Sequence, residues 1–385
     1  MTAGKKILFL VDWYLPGYMA GGPIRSVANL ARILNDRFQV RIITGDRDFT
    51  GSKPYPGIHT GDWNADPNGI PVMYISAGRL NKKKLLEVIG EFQPDLIHLN
   101  SMFSRSFSLK PLLWIRRMPG IRIVLAPRGM LHPGALSLKK FRKKIFLNVF
   151  RWFGLHSKVE FHATDEEEIK QIRMTFGENV VVHLAPNIPV AVPHELPVRR
   201  QKSAGEATFC FVSRISPKKN LDFLLGILPE LTGNITLEIA GTEEDSEYAS
   251  KCRKISESYE KRITINWHGP LEPERLKAIW EGSHFFVLPT RGENFGHSIF
   301  EGMAAGLPVL LSDATPWRNL YSRRIGWDIP VRDRAQFVGA MQEAINMDQA
   351  IYPEWESAAF SFAKDFAAQS GAVEKNLILF DNGNH

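Results

Sequence analysis

At 385 residues, with 44% hydrophobic and 23% charged residues, the chain has room for two ordinary globular domains with sizeable cores. Cys210 and Cys252 are its only cysteines, which excludes a disulfide framework or a cysteine metal cluster and reads as reduced core thiols, and no apolar run reaches the roughly 20 residues of a membrane span, so a cytoplasmic location is expected. The net charge of +7 is uneven: residues 1–187 hold 27 Lys+Arg against 15 Asp+Glu, or +12, and the remainder hold 21 against 26, or −5, so the basic half should meet an anionic surface or substrate.

The first element is Ile7–Trp13, whose apolar run is closed by Asp12 and is too short for a signal sequence. It reads as a buried strand. Gly17-Tyr18-Met19-Ala20-Gly21-Gly22-Pro23 follows, with Gly21 and Gly22 letting backbone approach a ligand and Pro23 suited to the first turn of the helix Ile24–Leu34. Strand-like runs then recur at Val40–Thr44, Val72–Ser76, Asp95–Asn100, Ile121–Ala126, Val159–Thr164 and Val180–Ala185, with helical stretches such as Lys82–Phe92 between most of them. Continuous apolar strands alternating with helices predict a parallel sheet covered on both faces. His98 and His162 end strands and read as structural histidines. The segment 138–153 is basic and amphipathic: Leu138, Phe141, Ile145 and Val149 share a helical stripe, and Lys139, Lys140, Arg142, Lys143 and Lys144 fill much of the other side. Such a helix suits docking on an anionic membrane, or else an ordinary core-facing helix. No RNA- or DNA-binding module is visible, so nucleic acid is not an expected partner.

Proline-rich Pro186–Pro193 and the polar run through Lys202 predict a linker. The alternation then restarts, with strands at Phe209–Ser213, Thr236–Ala240, Ile263–Trp267, Phe285–Pro289 and Val309–Ser312. The expected architecture is therefore α/β, two Rossmann-like parallel-sheet domains facing across a cleft. Residues 1–187 form the first domain, 188–204 the linker, and 205–360 the second. A C-terminal helix at about 360–385 packs back on the first domain. Ligands bind beyond the carboxyl ends of parallel strands, so the loops there carry the candidate site. One is Ser213-Arg214-Ile215-Ser216-Pro217-Lys218-Lys219-Asn220, where Arg214 and Lys219 suit a diphosphate. Another is Arg291-Gly292-Glu293-Asn294-Phe295-Gly296-His297-Ser298. A helix should open near Gly296 or His297 and stop at Gly306, before Pro308. The amides of Gly296, His297 and Ser298 would hold a phosphate, Glu301 one turn on would take ribose hydroxyls, and Glu293 on the loop would hold a sugar.

These motifs, in this order, resemble a family 4 glycosyltransferase of the GT-B type (glycosyl transferases group 1). The glycine loop Gly21-Gly22, the pair Arg214 and Lys219, His268-Gly269 after a strand, and Glu293 to Glu301 with Phe295-Gly296 between cover nearly the whole chain. The resemblance implies a retaining enzyme that uses a UDP- or GDP-sugar as co-substrate, with no metal or other cofactor. It implies acceptor binding by the first domain and nucleotide-sugar binding by the second. It implies Arg214 and Lys219 on the diphosphate, Glu301 on the ribose, Glu293 on the donor sugar with amides from Phe295 to His297, and backbone near Trp267–Gly269 on the base. Front-side attack by the acceptor hydroxyl is the usual proposal for such enzymes. Pro127-Arg128-Gly129-Met130-Leu131 matches members that build surface polysaccharides, which implies a glycan or lipid-linked glycan acceptor in bacterial exopolysaccharide, O-antigen or capsule assembly, and a peripheral position on the inner face of the cytoplasmic membrane.

The chain departs from the family at three places. Arg128 stands where many members carry a histidine near the transferred sugar, with His132 as a nearby substitute. Gly241-Thr242-Glu243 lacks the second glycine of a frequent Gly-x-Gly, and Asn187-Ile188 replaces a usual Asn-Gly. Other readings of the same residues are a glycosidase using Glu293 and Glu301, a GT-B nucleotide-sugar epimerase, and a nucleotide-sugar or membrane-surface binding protein without catalysis.

Overall fold

The computed structural model describes residues 4–76, 78–132, 140–257, 259 and 261–381. Within these the chain forms two compact units, one from Met1–Gly17, Pro23–Ile188 and Ser370–His385, the other from Tyr18–Gly22 and Pro189–Gln369.

The described strands of the first unit are β1 (Lys6–Leu10), β2 (Gln39–Gly45), β3 (Trp63–Ala65), β4 (Pro71–Ile75), β5 (Leu96–Asn100), β6 (Arg122–Ala126), β7 (Glu160–Ala163) and β8 (Val182–Leu184). They form one sheet in the order β3-β4-β2-β1-β5-β6-β7-β8. Every pair is parallel except β3 with β4. The chain runs outward from β1 through β2 to β4, then returns to β5 and runs out the other way. The strand order thus reverses between β1 and β5, and their carboxyl ends mark this sheet's ligand position.

Alternate residues of the strands feed two cores. Ile7, Phe9 and Val11 pack with Val27, Leu30 and Leu34 of the helix Gly22–Asn35. Leu8 and Leu10 pack on the opposite face with Leu85, Val88, Ile89 and Phe92 of the helix Lys82–Phe92. The C-terminal helix Ala372–Asp381 belongs to the first of these cores. Phe380 lies 5.8 Å from the Phe9 ring, Asn376 donates to the Pro186 carbonyl at 2.8 Å, and Arg122 donates to the Leu379 carbonyl at 3.1 Å.

The second unit holds β9 (Glu206–Val212), β10 (Asn234–Ala240), β11 (Ile263–Gly269), β12 (Phe285–Leu288), β13 (Val309–Ser312) and β14 (Gly326–Ile329). Their order is β11-β10-β9-β12-β13-β14, all parallel. Here the order reverses between β9 and β12. All residues of β12 and β13 are buried, as central strands of a covered sheet require.

The expected linker 188–204 is not a separate connector. From Pro189 onward it belongs to the second unit, and its charged end is buried there. Arg200 pairs with Glu356 at 2.8 Å and donates to the carbonyls of Trp280 and Ala305. The Lys202 ammonium donates to the Ser203, Ile345 and Met347 carbonyls, and burial lowers it to about 8. The expected single C-terminal helix is two: Tyr352–Gln369 lies in the second unit and Ala372–Asp381 in the first.

Candidate functional site

In the second unit the reversal point gathers the loops after β9 and β12. Lys219 ends the first loop and Glu293 lies in the second, and their side chains form a direct ion pair across 74 positions of sequence, each only 11% exposed. Burial alone would push the Glu293 carboxyl up. Lys219, Lys218 and Arg214 outweigh it and hold the group below its ordinary range. Glu293 is therefore an ionised acceptor near neutral pH, suited to sugar hydroxyls and unsuited to donating a proton.

Backbone bonds fix both loops. Ile215 N donates to the Thr242 carbonyl, Arg291 N to the Lys218 carbonyl, and Glu293 N to the Ala314 carbonyl. Thr290 Oγ1 contacts the Lys218 and Gly292 carbonyls at 3.2 Å, and Arg291 donates to the Asn220 side chain at 3.0 Å. Asn220 supplies a left-handed residue (φ 60°) before the helix Leu221–Ile227, a role short polar side chains tolerate. Arg214, the second expected phosphate ligand, pairs with Glu244 at 3.0 Å.

The helix opens at His297 and runs to Ala304, with Gly296 left-handed at its start (φ 77°). A side chain there would also meet Ile299, 2.6 Å from its Cδ1. Ile299 N and Phe300 N both donate to the Gly296 carbonyl, so the hydrogen-bonded ladder begins there. The first N–H groups of a helix lie outside that ladder and carry its positive dipole end. Trp317 locks the approach by donating to the Phe295 carbonyl at 2.8 Å within a cluster of Phe295, Phe300, Phe362 and Phe366. Ser298 falls in the first turn, and Glu301 one turn further, part-buried. Gly21 and Gly22 join this unit through Tyr18–Gly22. Thr242 donates to the Met19 carbonyl at 3.0 Å, and a Cβ on Gly22 would lie 3.6 Å from the His297 ring.

His268 donates to Glu238 at 2.5 Å at the end of β11, where the register with β10 shifts so that Ala240 pairs with Gly269. Gly241 N donates to the Gly269 carbonyl at 2.8 Å, and a Cβ on Gly241 would fall 1.8 Å from the Ser213 carbonyl oxygen. That first glycine admits no side chain. The ends of β9, β10 and β11 are thus laced together around it.

The remaining candidates belong to the first unit. Arg128 follows β6, donating to Asn100 Oδ1 at 2.8 Å and to Asn187 Oδ1 at 3.0 Å. His132 is exposed. His98 and His162 are buried and bonded to each other at 3.4 Å, with His162 also bonded to the Ala185 carbonyl at 2.8 Å. Among the expected membrane cations Lys139 lies outside the described residues. The helix starts at Lys140, Arg142 and Lys144 are exposed, and Lys143 sits 5.2 Å from the Phe103 ring centroid. Of the expected stripe Leu138 lies outside the described residues, and Phe141 (76% exposed), Ile145 and Val149 point outward, with exposed Trp152 (84%) and Phe153 beside them. Phe146, Leu147 and Phe150 face the core instead.

Sequence reasoning missed Lys218, Thr290 and Trp317. Their types are unremarkable on loops; β9 lying beside β12 brings Lys218 near Glu293, while Thr290 reaches Glu293 within its own loop at 3.4 Å.

Residues 194–359 match the family described as Glycosyl transferases group 1. Along most of its length the chain is 27% identical to "Uncharacterized glycosyltransferase MJ1607" of Methanocaldococcus jannaschii, over 79% of each chain. It is 23% identical to a GDP-mannose:cellobiosyl-diphosphopolyprenol alpha-mannosyltransferase of Xanthomonas oryzae, over 88% of this chain and 87% of that one. A solved sucrose-phosphate synthase from Thermosynechococcus elongatus superposes over 98% of this chain and 99% of its own, with a TM-score of 0.70 and 16% identity. The second unit carries a glycosyl transferases group 1 domain, and the two parallel-sheet units have the GT-B fold. The chain is a glycosyltransferase.

Proposed function

We propose that this enzyme is a retaining, family 4 glycosyltransferase that moves a hexose from a UDP- or GDP-sugar to a glycan or lipid-linked glycan acceptor in assembly of a bacterial surface polysaccharide, without a bound metal. The observation that carries the reading is the Lys219–Glu293 pair at the strand-order reversal of the second sheet. An ionised carboxylate for sugar hydroxyls, a buried ammonium for a diphosphate, and a helix start beside them match the three parts of a nucleotide-sugar. Arg214 would exchange Glu244 for the diphosphate on binding. As the sugar leaves, charge develops on the diphosphate, and Lys219, Arg214 and the 297–304 helix dipole stabilise it. In the glycosidase reading Glu293, held ionised, would not serve as the general acid.

The mannosyltransferase relative is named for a GDP-mannose donor and a diphosphopolyprenol-linked acceptor, which favours GDP-mannose as the first donor to test. The outward stripe of the helix Lys140–Trp152 favours peripheral docking on an anionic bilayer. Residues 101–150 contain eleven Lys and Arg and no Asp or Glu, so charge and apolar contact act together. Among the described residues no helix is long and apolar enough to cross a membrane.

A thermal-shift screen of UDP-, GDP-, ADP- and TDP-sugars tests the donor site. One nucleotide-sugar should raise the melting temperature by several degrees, since a ligand bound only by the native state stabilises it. Transfer should then survive EDTA, and anomeric analysis of the product should show retention. No shift with any donor would defeat the reading.

A further inference from the structure

Arg128, beyond the carboxyl end of β6, is held in a strained conformation with one guanidinium nitrogen unsatisfied among the described residues. Its backbone is left-handed (φ 57°), a conformation that strains a non-glycine residue and persists only where the surroundings impose it. Two of its nitrogens are satisfied, Nε by Asn100 and Nη1 by Asn187, and both acceptors are neutral amide oxygens. The third, Nη2, is buried with no hydrogen-bond partner among the described residues.

Glu168 is the carboxylate that acts on this charge, yet its oxygens are taken by Gly129 N, Thr164 N and Thr164 Oγ1. Burial pulls the guanidinium down to about 10, and Glu168 offsets this only in part. A buried donor left unsatisfied is costly, and a buried cation without its counter-charge more so. Strain, an orphaned donor and an only partly compensated charge meet in one side chain. It is held by Asn100 at the end of β5, one of the two strands between which this sheet reverses order.

We propose that Arg128 binds an oxyanion of the acceptor, a phosphoryl group or a sugar carboxylate, using Nη2 and the forked geometry that planar guanidinium offers to such groups. Asn100 and Asn187 aim the fork without neutralising it, so the charge is kept for the ligand. This rests on the glycosyl-transfer reading and adds the chemical class of the acceptor.

The test is calorimetric titration of the full chain with inorganic phosphate and, separately, acetate, after UDP or GDP has filled the Lys219–Glu293 site. Wild type should bind at least one anion, and Arg128→Gly should weaken that binding at least tenfold while nucleotide affinity stays within about twofold. Glycine suits the left-handed backbone, so this variant is expected to fold. Arg128→Lys, which keeps a charge without the fork, should recover binding only in part. Preference for phosphate assigns a phosphorylated acceptor, and preference for acetate a uronic acid. Equal anion binding by wild type and Arg128→Gly, or no binding by wild type, overturns the proposal. Failure of every nucleotide to bind counts against the donor site alone. The anion titration then runs on Lys219→Ala with and without Arg128→Gly and still reads Arg128.

Discussion

Lys219 and Glu293 depend on each other. Neither would be stable at its depth without the other, because the ion pair offsets the desolvation that burial imposes on each charge. Glu293→Ala leaves a buried ammonium and Lys219→Ala a buried carboxylate, so each should lower stability by about 1–3 kcal/mol and transfer by at least a hundredfold. Glu293→Gln keeps the shape and a hydroxyl acceptor but loses the charge. It should lower stability less than Glu293→Ala, because its amide oxygen still accepts from the ammonium, and lose activity nearly as far. Full transfer by Glu293→Gln in a discontinuous assay with saturating donor would remove this carboxylate from the chemistry. The pair itself was legible in the sequence as two separate motifs, each at the end of an apolar run. Their direct contact was not, because it depends on β12 lying beside β9 rather than beside β11. Lys218 illustrates the limit. One of two adjacent lysines, it acquires its role only because its neighbour's loop folds over Gly292 and Glu293.

At the scale of elements, periodicity carried most of the information. The helix Lys82–Phe92 has the bounds its pattern predicts, and the helix after Gly296 opens and closes where glycine and proline signals place it. Two strands escaped. β3 is three residues with no fully buried position, and β14 starts on a glycine, so neither shows an apolar run. The linker was misplaced because Arg200 and Lys202 look solvent-exposed in sequence, and only their buried carbonyl and carboxylate partners reveal otherwise. The helix Lys140–Trp152 was ambiguous for a related reason. It has apolar residues on two faces, and periodicity does not say which one meets the core. Phe146, Leu147 and Phe150 take that part, which leaves Phe141 and Trp152 outward among cations. Vesicles containing phosphatidylglycerol should therefore bind the protein, phosphatidylcholine vesicles much less, and rising salt should weaken the interaction. Phe141→Ser with Trp152→Ser should reduce binding about tenfold without changing the melting temperature, since both side chains leave water only at the lipid. Unchanged vesicle co-sedimentation by the double variant would assign the stripe to something other than a bilayer.

For the whole molecule, each unit closes its own sheet over its own cores, and a single global unfolding free energy is not the natural quantity to measure. Hydrogen exchange read peptide by peptide is. In the first unit, burial, aided by the charge of Arg128 and opposed by the bond to the Ala185 carbonyl, lowers His162 to about 3. His98 is likewise held neutral by burial and by its neighbour. A histidine whose folded value lies below its ordinary one near 6.5 leaves stability intact above pH 6.5 and removes it progressively as the pH falls, because only the unfolded chain takes the proton. His162 alone should cost about 2 kcal/mol at pH 5. Asp12 works in the opposite direction. Burial, partly offset by the Ser104 hydroxyl bond of 2.7 Å, raises its carboxyl to about 6, so the folded state gains a proton first and recovers on the order of 1 kcal/mol by pH 5. Glu160, held near 2 against burial by His183 and Arg122, adds its loss only below about pH 4.5. The net expectation is weaker protection of β5, β6 and β7 at pH 5 than at pH 7 after correction for intrinsic exchange rates. Asp12→Asn removes the opposing term, and should steepen the loss while leaving the pH 7 fold intact. A pH-independent protection pattern in these strands would show that the buried histidines take up protons in the folded unit, and a shallower loss in Asp12→Asn would show that folding does not raise the Asp12 carboxyl.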